Sequence, residues 1–522
     1  MKETLRQSMA WLHTWAGLLP GWLLFVIFLF GTTAFFQIEI DGWMHPELKR
    51  APVTGQALDR ADALFRARAS GAESWSVSLP SGRSNEALVL SWTPSGGGWE
   101  DRAEVKLDPA TGREVAVRES AGGFFLYRMH FDLHYLPVIW ARYLVCIAAL
   151  AMLVAILSGI VTHKKIFADF FMLRFGKGQR SWLDAHNVTA VLALPFHLMI
   201  TYTGLVALLF TLMPWGANAS FGSMEAFYEK AFPPAPTIAS TRASPPSAPR
   251  QLPLREIIAR AEANWAGQRA SYISIEQPGT PDMVAGIWPG QEMLGGGRQP
   301  VYLNAATGDM LGTGDKPGAA RATQRVMIDL HAGRFSGAML RWLYFLSGAA
   351  GTIMVASGLV LWTVKRRAKL PDPSRPHVGF RLVERLNIGV IAGSFAGIAV
   401  YFLANRLLPV GLPHRADWEI HSLFIAWGAI FTWSIARPVK RAWVEALAAC
   451  AVLYALVPMV NALTTQRGLV PSLIAGDWIF AGFDLAMLAT AAACGFTAWK
   501  VATRKPKTAP RRKTRELEAM AA

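Results

Sequence analysis

Four histidines sit at the ends of hydrophobic runs, in two layers. His13 and His186 open two of the runs at one side of a membrane, and His134 and His331 precede two others at the opposite side. An imidazole carries both a polar N–H and a lone pair, so histidine is scarce inside a bilayer unless a partner meets it there. Facing imidazoles are the axial donors of a six-coordinate haem iron. Two layers of such pairs, separated by apolar helix, predict cofactors that relay electrons across the membrane, two haems being the expected number.

The elements that must position these rings follow from composition. The chain has 522 residues, of which 52% are apolar, and a mean hydropathy of +0.27. That is too hydrophobic for a soluble enzyme and long enough for several spans with extramembrane modules. The net charge of +16 lies in short basic segments between apolar runs rather than on a soluble surface, so it reports topology and no nucleic-acid partner.

Eight runs of spanning length are predicted at Trp11–Phe36, Val138–Thr162, Ala185–Met213, Met339–Val364, Leu386–Leu408, Trp418–Ile435, Ala442–Asn461 and Trp478–Trp499. With the N-terminus inside, the cytoplasmic pieces hold Lys164, Lys165, Arg174, Lys177 and Arg180, then Lys365–Lys369, then Arg437, Lys440 and Arg441, then the basic Lys500–Arg515 tail. The short outside loops hold only Arg415 and Arg467, so the positive-inside rule places both termini in the cytoplasm. The first run is longer than a signal-peptide core and is read as a retained anchor. Cys146, Cys450 and Cys494 all fall within spans and indicate neither disulfides nor a thiolate metal site.

The first two-thirds of the chain repeats itself. Two outside segments, residues 37–137 and 214–338, each carry a helix followed by a strand–turn–strand pattern. The helices are predicted at Ala57–Ala69 and Leu254–Trp265, the hairpins at Val105–Val115 and Val301–Leu311. In each hairpin Asp108 or Asn304 opens the turn, and Gly112 or Gly308 permits positive φ. The spans repeat too: His13 and His186 each have a glycine eighteen positions later, Gly31 and Gly204, and Ser158-Gly159 matches Ser357-Gly358. A duplicated unit in one orientation implies a pseudo-twofold axis along the membrane normal, which would set His13 opposite His186 and His134 opposite His331. The expected organisation is a first span (1–36), an outside α+β module (37–137), two spans around a basic loop (138–213) and a second module (214–338). A fourth span (339–364), a cytoplasmic loop (365–385), an appended four-span bundle (386–499) and a basic tail (500–522) complete it. The stretch Pro233–Pro253 reads as a flexible linker.

At these positions the chain resembles the PepSY-associated transmembrane helix family, the iron-regulated bacterial membrane proteins that include ferric-siderophore reductases. The resemblance rests on Trp11–Gly17, Leu126–Leu136, Gly159–Lys165, Gln179–His186 on through Pro195, His197 and Gly204, and Leu330–Arg334 through Arg341–Leu343. It implies a polytopic α-helical protein of the bacterial inner membrane with a four-helix core, periplasmic PepSY-like domains, b-type haem and electron delivery to ferric iron outside. This chain departs from the pattern by its four additional spans, so the resemblance does not name the chelate.

Other polar residues extend the layers. His163 lies at the level of His13 and His186, as a further ligand or as an interfacial residue beside Lys164. His197 follows His186 by eleven residues on nearly the same helical face, near mid-membrane, and serves either as a haem ligand or as a hydrogen-bonded core histidine. His130 and His134, four apart, are expected to share a helical face, with His134 and His331 as axial ligands and His130 supporting them or serving as an alternate ligand. A bare zinc or copper site from the same trio is the competing reading, although Phe131 replaces the Glu base of the zinc-protease pattern. His414 and His421 are surface residues or an extension of the outer cluster, and Asp484 needs a partner such as Asn461. The glycine runs at 96–98 and 295–297 lack a strand-to-helix context, and the cytoplasmic loops are too short for a nucleotide or flavin domain. Electrons must therefore come from a separate donor, membrane quinol or a reductase. The expected activity is reduction of a ferric chelate at the periplasmic face. A proton-coupled transporter with histidine relays and a regulator that binds a periplasmic protein through its PepSY modules are the rival readings.

Overall fold

The computed structural model describes residues 4–80, 83, 87–163, 174, 178–231, 250–290, 293–295, 299–314, 316–367 and 369–504. Lys164, Lys165, Lys177, most of the Pro233–Pro253 linker and nearly all of the basic tail lie outside the described residues.

Among the described residues, six helices are long and apolar enough to cross a membrane: α6 (Val138–Thr162), α11 (Ala338–Arg367), α12 (Val378–Leu407), α13 (Arg415–Ala436), α14 (Val439–Thr464) and α15 (Trp478–Thr503). Two further runs expected as single spans are each a bent pair of helices. The first comprises α1 (Leu5–Leu18) and α2 (Gly21–Ala34), bent by 62°, and the other α7 (Gln179–Leu192) and α8 (Leu194–Ala207), bent by 68°. Pro20 stands at one break and Pro195 just past the other. A proline lacks the N–H its turn requires and its ring collides with the carbonyl four residues back, which accounts for both bends. The protein is thus a polytopic helical membrane protein.

The packing repeats with the sequence. Helix α1 lies on α6 as α7 lies on α11, and α2 lies on α11 as α8 lies on α6. A short helix before each second span completes the unit: α5 (Gly122–Met129) packs on α2, and α10 (Ala319–Ala332) packs on α8.

The duplicated α+β segments do not form two separate modules. Strands β1 (Ala72–Ser78), β2 (Leu88–Pro94), β3 (Ala103–Leu107), β4 (Ala270–Glu276), β5 (Val284–Pro289), β6 (Val301–Asn304) and β7 (Met310–Thr313) make one antiparallel sheet, ordered β3-β2-β1-β4-β5-β6-β7. The seam is β1 against β4, with Trp75 opposite Ile275 and Val77 opposite Ile273. Each half alone would leave an open strand edge at the seam, and pairing the two satisfies both. Helices α4 (Gly55–Arg68) and α9 (Leu254–Glu262) supply Phe65, Leu254, Ile257 and Ala261 to the core on one face, where Phe65 stacks on Trp75 at 4.7 Å. The two turns form as their residues dictate. The Asp108 carboxylate accepts from the N–H groups of Ala110 and Thr111, the Asn304 carbonyl from those of Ala306 and Thr307, and Gly112 and Gly308 adopt positive φ.

The bundle α12–α15 is tied to the core through buried charge. Arg415 and Glu419 on α13 pair at 2.5 Å with both side chains fully buried. Glu419 also accepts from Ser120 Oγ (2.7 Å) and from the Ala121 N–H (3.2 Å) at the start of α5. The Tyr401 hydroxyl on α12 donates to the Gly122 carbonyl at 2.8 Å. Helix α3 (Gln37–Met44) contributes Trp43, whose ring lies 3.8 Å from the Arg406 guanidinium and whose indole N–H donates to Asp484 at 3.1 Å. Asn461 also donates to Asp484 at 3.1 Å, so that intramembrane carboxylate has the structural partner expected of it.

Two tests follow. Removing one member of a buried pair strands the other, at a cost of about 3–5 kcal/mol, whereas removing both is far milder. Arg415→Met should therefore lower the melting temperature of the detergent-solubilised protein sharply, and Arg415→Met with Glu419→Gln should recover most of it. In the sheet region, burial pushes the Asp62 carboxyl up to about 6. One of its oxygens takes the Leu254 N–H at 2.9 Å while the other has no partner. The folded state therefore holds the proton more tightly than the unfolded chain, and the contribution of this group is fully present below pH 4 and is lost as pH rises through 6. The loss amounts to ~3 kcal/mol at most. Asp62→Asn should flatten the dependence of unfolding on pH between 4 and 7, measured by denaturant titration at each pH.

Candidate functional site

Each of four histidine rings is held in the same way. His13 on α1 bonds through Nδ1 to the Ala155 carbonyl of α6 at 2.8 Å, and His186 on α7 bonds through Nδ1 to the Met354 carbonyl of α11 at 2.8 Å. His130, capping the end of α5, reaches the Ile27 carbonyl of α2 at 2.7 Å, and His331, in the last turn of α10, reaches the Ile200 carbonyl of α8 at 2.9 Å. A carbonyl oxygen only accepts, so each Nδ1 carries the proton and each Nε2 keeps its lone pair.

One turn beyond each acceptor carbonyl stands a glycine against which the ring rests: Gly159, Gly358, Gly31 and Gly204 respectively. A Cβ at Gly31 would lie 2.6 Å from the His130 ring and one at Gly204 2.7 Å from that of His331, while at Gly159 and Gly358 the contacts would be 3.1 Å and 3.2 Å. The glycines that mark the repeat in the sequence are therefore the backing of the imidazoles.

The rings form two pairs. His13 and His186 have centroids 6.2 Å apart, and His130 and His331 have centroids 5.9 Å apart. Two imidazoles on one metal, each bonded at about 2 Å with the ring centre about 1 Å behind the nitrogen, would have centres about 6 Å apart. Both separations are those a shared six-coordinate iron would require, and the Nδ1–H to carbonyl bond is the arrangement that fixes a ligating histidine. The outer pair lines a cavity of about 1490 Å³ together with Phe28, Met152 and Thr201, above the roughly 300–1,000 Å³ of an ordinary small-molecule pocket.

The structure corrects the expected outer pairing. His134 does not face His331, because α5 ends at Met129 and the following loop turns through positive φ at Leu133 and Tyr135. His130 and His134 consequently share no helical face. His134 instead stacks on Phe424 of α13 at 5.9 Å and packs on Tyr135, whose hydroxyl meets Nδ1 of His421. The bare zinc or copper trio fails with the same geometry: among the described residues no three His, Cys, Asp or Glu side chains are placed to hold an ion. His414 caps α13 on the surface near Asp417.

His163 ends α6 near His186 and outside the pair. His197 is 1% exposed, sits on α8 between the two layers, directs Nε2 at the Ser347 carbonyl (3.4 Å) and meets Phe28 edge-on. It is a hydrogen-bonded core residue in this geometry, spending on backbone the nitrogen that the paired histidines leave open.

An uncharacterized protein of Pseudomonas aeruginosa, PA4219, is 27% identical over 305 residues, which span 55% of this chain and 74% of that relative. The model of the PepSY-associated TM region family matches residues 10–365, the stretch holding both histidine pairs and the sheet. The chain therefore belongs to the PepSY-associated TM region family.

Proposed function

We propose that this protein is a transmembrane b-type haem electron-transfer protein that reduces ferric iron, or a ferric siderophore, at the periplasmic face of the bacterial inner membrane. The observation that carries this reading is the pair of imidazole gaps, 6.2 Å and 5.9 Å, each built from two rings with Nδ1–H tied to a carbonyl and Nε2 open. His13 with His186 would hold the inner haem and His130 with His331 the outer one. When bound, the haems supply one-electron chemistry between a membrane quinol or reductase partner inside and the chelate outside.

The chain's own residues set the terms. The carbonyl bonds orient each ring and raise the basicity of Nε2. The basic cluster Lys365–Arg367 ends α11 on the side of His13 and His186, which supports cytoplasmic termini and a periplasmic sheet. Ferrous iron binds hard oxygen donors more weakly than ferric iron, so reduction releases the metal. A proton relay through these histidines needs both ring nitrogens free to exchange, and each of the four spends Nδ1 on a fixed carbonyl, which argues against the transporter reading.

The reduced-minus-oxidised absorbance spectrum of the purified protein tests the assignment. His130→Ala or His331→Ala should remove one b-type component, and His13→Ala or His186→Ala the other. His134→Ala should retain both. Loss of the outer component in His134→Ala but not in His130→Ala would overturn the pairing. Gly204→Ala, by pushing a methyl group into the His331 ring, should perturb the outer component alone.

A further inference from the structure

The outer cavity does not stop at the histidine pair. It continues to the sheet, where Ser271, Trp288, Gln299 and Tyr302 line it from the side opposite the membrane helices. Among the described residues six arginines also line it, Arg83, Arg269, Arg321, Arg325, Arg334 and Arg341, against a single carboxylate, Asp329. Asp329 accepts the Gly295 N–H at 2.9 Å.

The cations are not all neutralised by their neighbours. Arg83 and Arg341 share one partner, Glu39, at 2.7 Å each, and Arg269 pairs with Glu262 at 3.1 Å. Arg321 has a partner of its own. Among the described residues no hydrogen-bond or ion-pair partner meets Arg325 or Arg334 on the cavity wall. Arg341 is only 8% exposed, yet its Nε–H finds no acceptor. Arg321 and Arg325 lie one turn apart on α10, on a stripe that continues through Ile328 and Asp329 to the turn holding His331. Arg334 and Arg269 stand exposed at the mouth of the chamber and Arg325 half-buried within it, so their guanidinium groups are open to an incoming anion, and the planar fork of arginine suits carboxylate, catecholate or hydroxamate oxygens.

Building on the proposed function, we infer that this chamber is the substrate site and that it selects ferric chelates of net negative charge, with Arg325 and Arg334 as the groups that grip the chelate's oxygens beside the His130–His331 pair. The volume leaves room for a ligand beyond the ring gap, and the aromatic Trp288 and Tyr302 offer flat surface to the organic part of such a ligand. A neutral or cationic chelate gains nothing from the arginines.

Gallium(III) citrate, a redox-silent anionic analogue of the ferric chelate, provides the probe, with neutral gallium tris-maltolate as its control. Binding to the full-length protein in nanodiscs would be measured by equilibrium dialysis, and the b-type spectrum recorded on each preparation. The expected result is gallium citrate binding that weakens with salt and falls at least tenfold in the Arg325→Gln, Arg334→Gln double variant. Gallium tris-maltolate should be indifferent to the substitutions, the b-type spectrum should not change, and Arg325→Lys should lose less than Arg325→Gln. Unchanged gallium citrate binding in the double variant would refute the inference while leaving a coloured protein and the electron-transfer reading intact. Loss of the outer b-type component in that variant would assign the arginines to the carboxylates of the porphyrin instead and would equally refute it. A parent protein with no b-type spectrum would remove both readings together.

Discussion

A histidine placed between apolar helices must give its N–H an acceptor, and here it does so four times on a backbone carbonyl one turn ahead of a glycine. The rest of the core depends on that constraint. Glycine lets the ring approach the neighbouring helix, the approach makes the bond, and the bond fixes which nitrogen is left open. Because the repeat applies the same contact twice at each level, the open nitrogens belong to rings about 6 Å apart. No loop contributes to three of the four rings, which sit on α1, α7 and α10; His130 follows directly on α5.

Much of this was legible in the sequence because it is written in periodic or local signals. Hydropathy located the spans, and Asp108, Asn304, Gly112 and Gly308 located the turns. The spacing from His13 to Gly31 and from His186 to Gly204 exposed the duplication, although it gave no sign that each glycine backs a histidine of the other layer. Two features were hidden for physical reasons. The choice between His130 and His134 hinges on where α5 stops, and spacing four apart implies a common face only while the helix continues. The fusion of the two α+β segments into one sheet rests on β1 pairing with β4, some two hundred residues away, which no local pattern encodes.

The appended bundle has a place in the same scheme. Glu419 and Tyr401 hold the first residues of α5, and His130 caps the end of that helix, so the bundle fixes the origin of one ring of the outer pair. In the second repeat the corresponding helix α10 rests, among the described residues, chiefly on α8. The two halves of the outer pair are therefore supported differently, His130 by a buried ionic network and His331 by its own repeat. Breaking that network should reach the outer pair before the inner one, because His13 and His186 contact neither α5 nor the bundle through the bonds that hold their rings.

The central claim is that two imidazole pairs in this chain each hold an iron porphyrin. The most direct measurement is the pyridine haemochrome content of the protein purified from cells that make haem, normalised to chain concentration by amino-acid analysis. The account predicts about two b-type haems per chain. A chain that is monodisperse and folded yet carries none would contradict it.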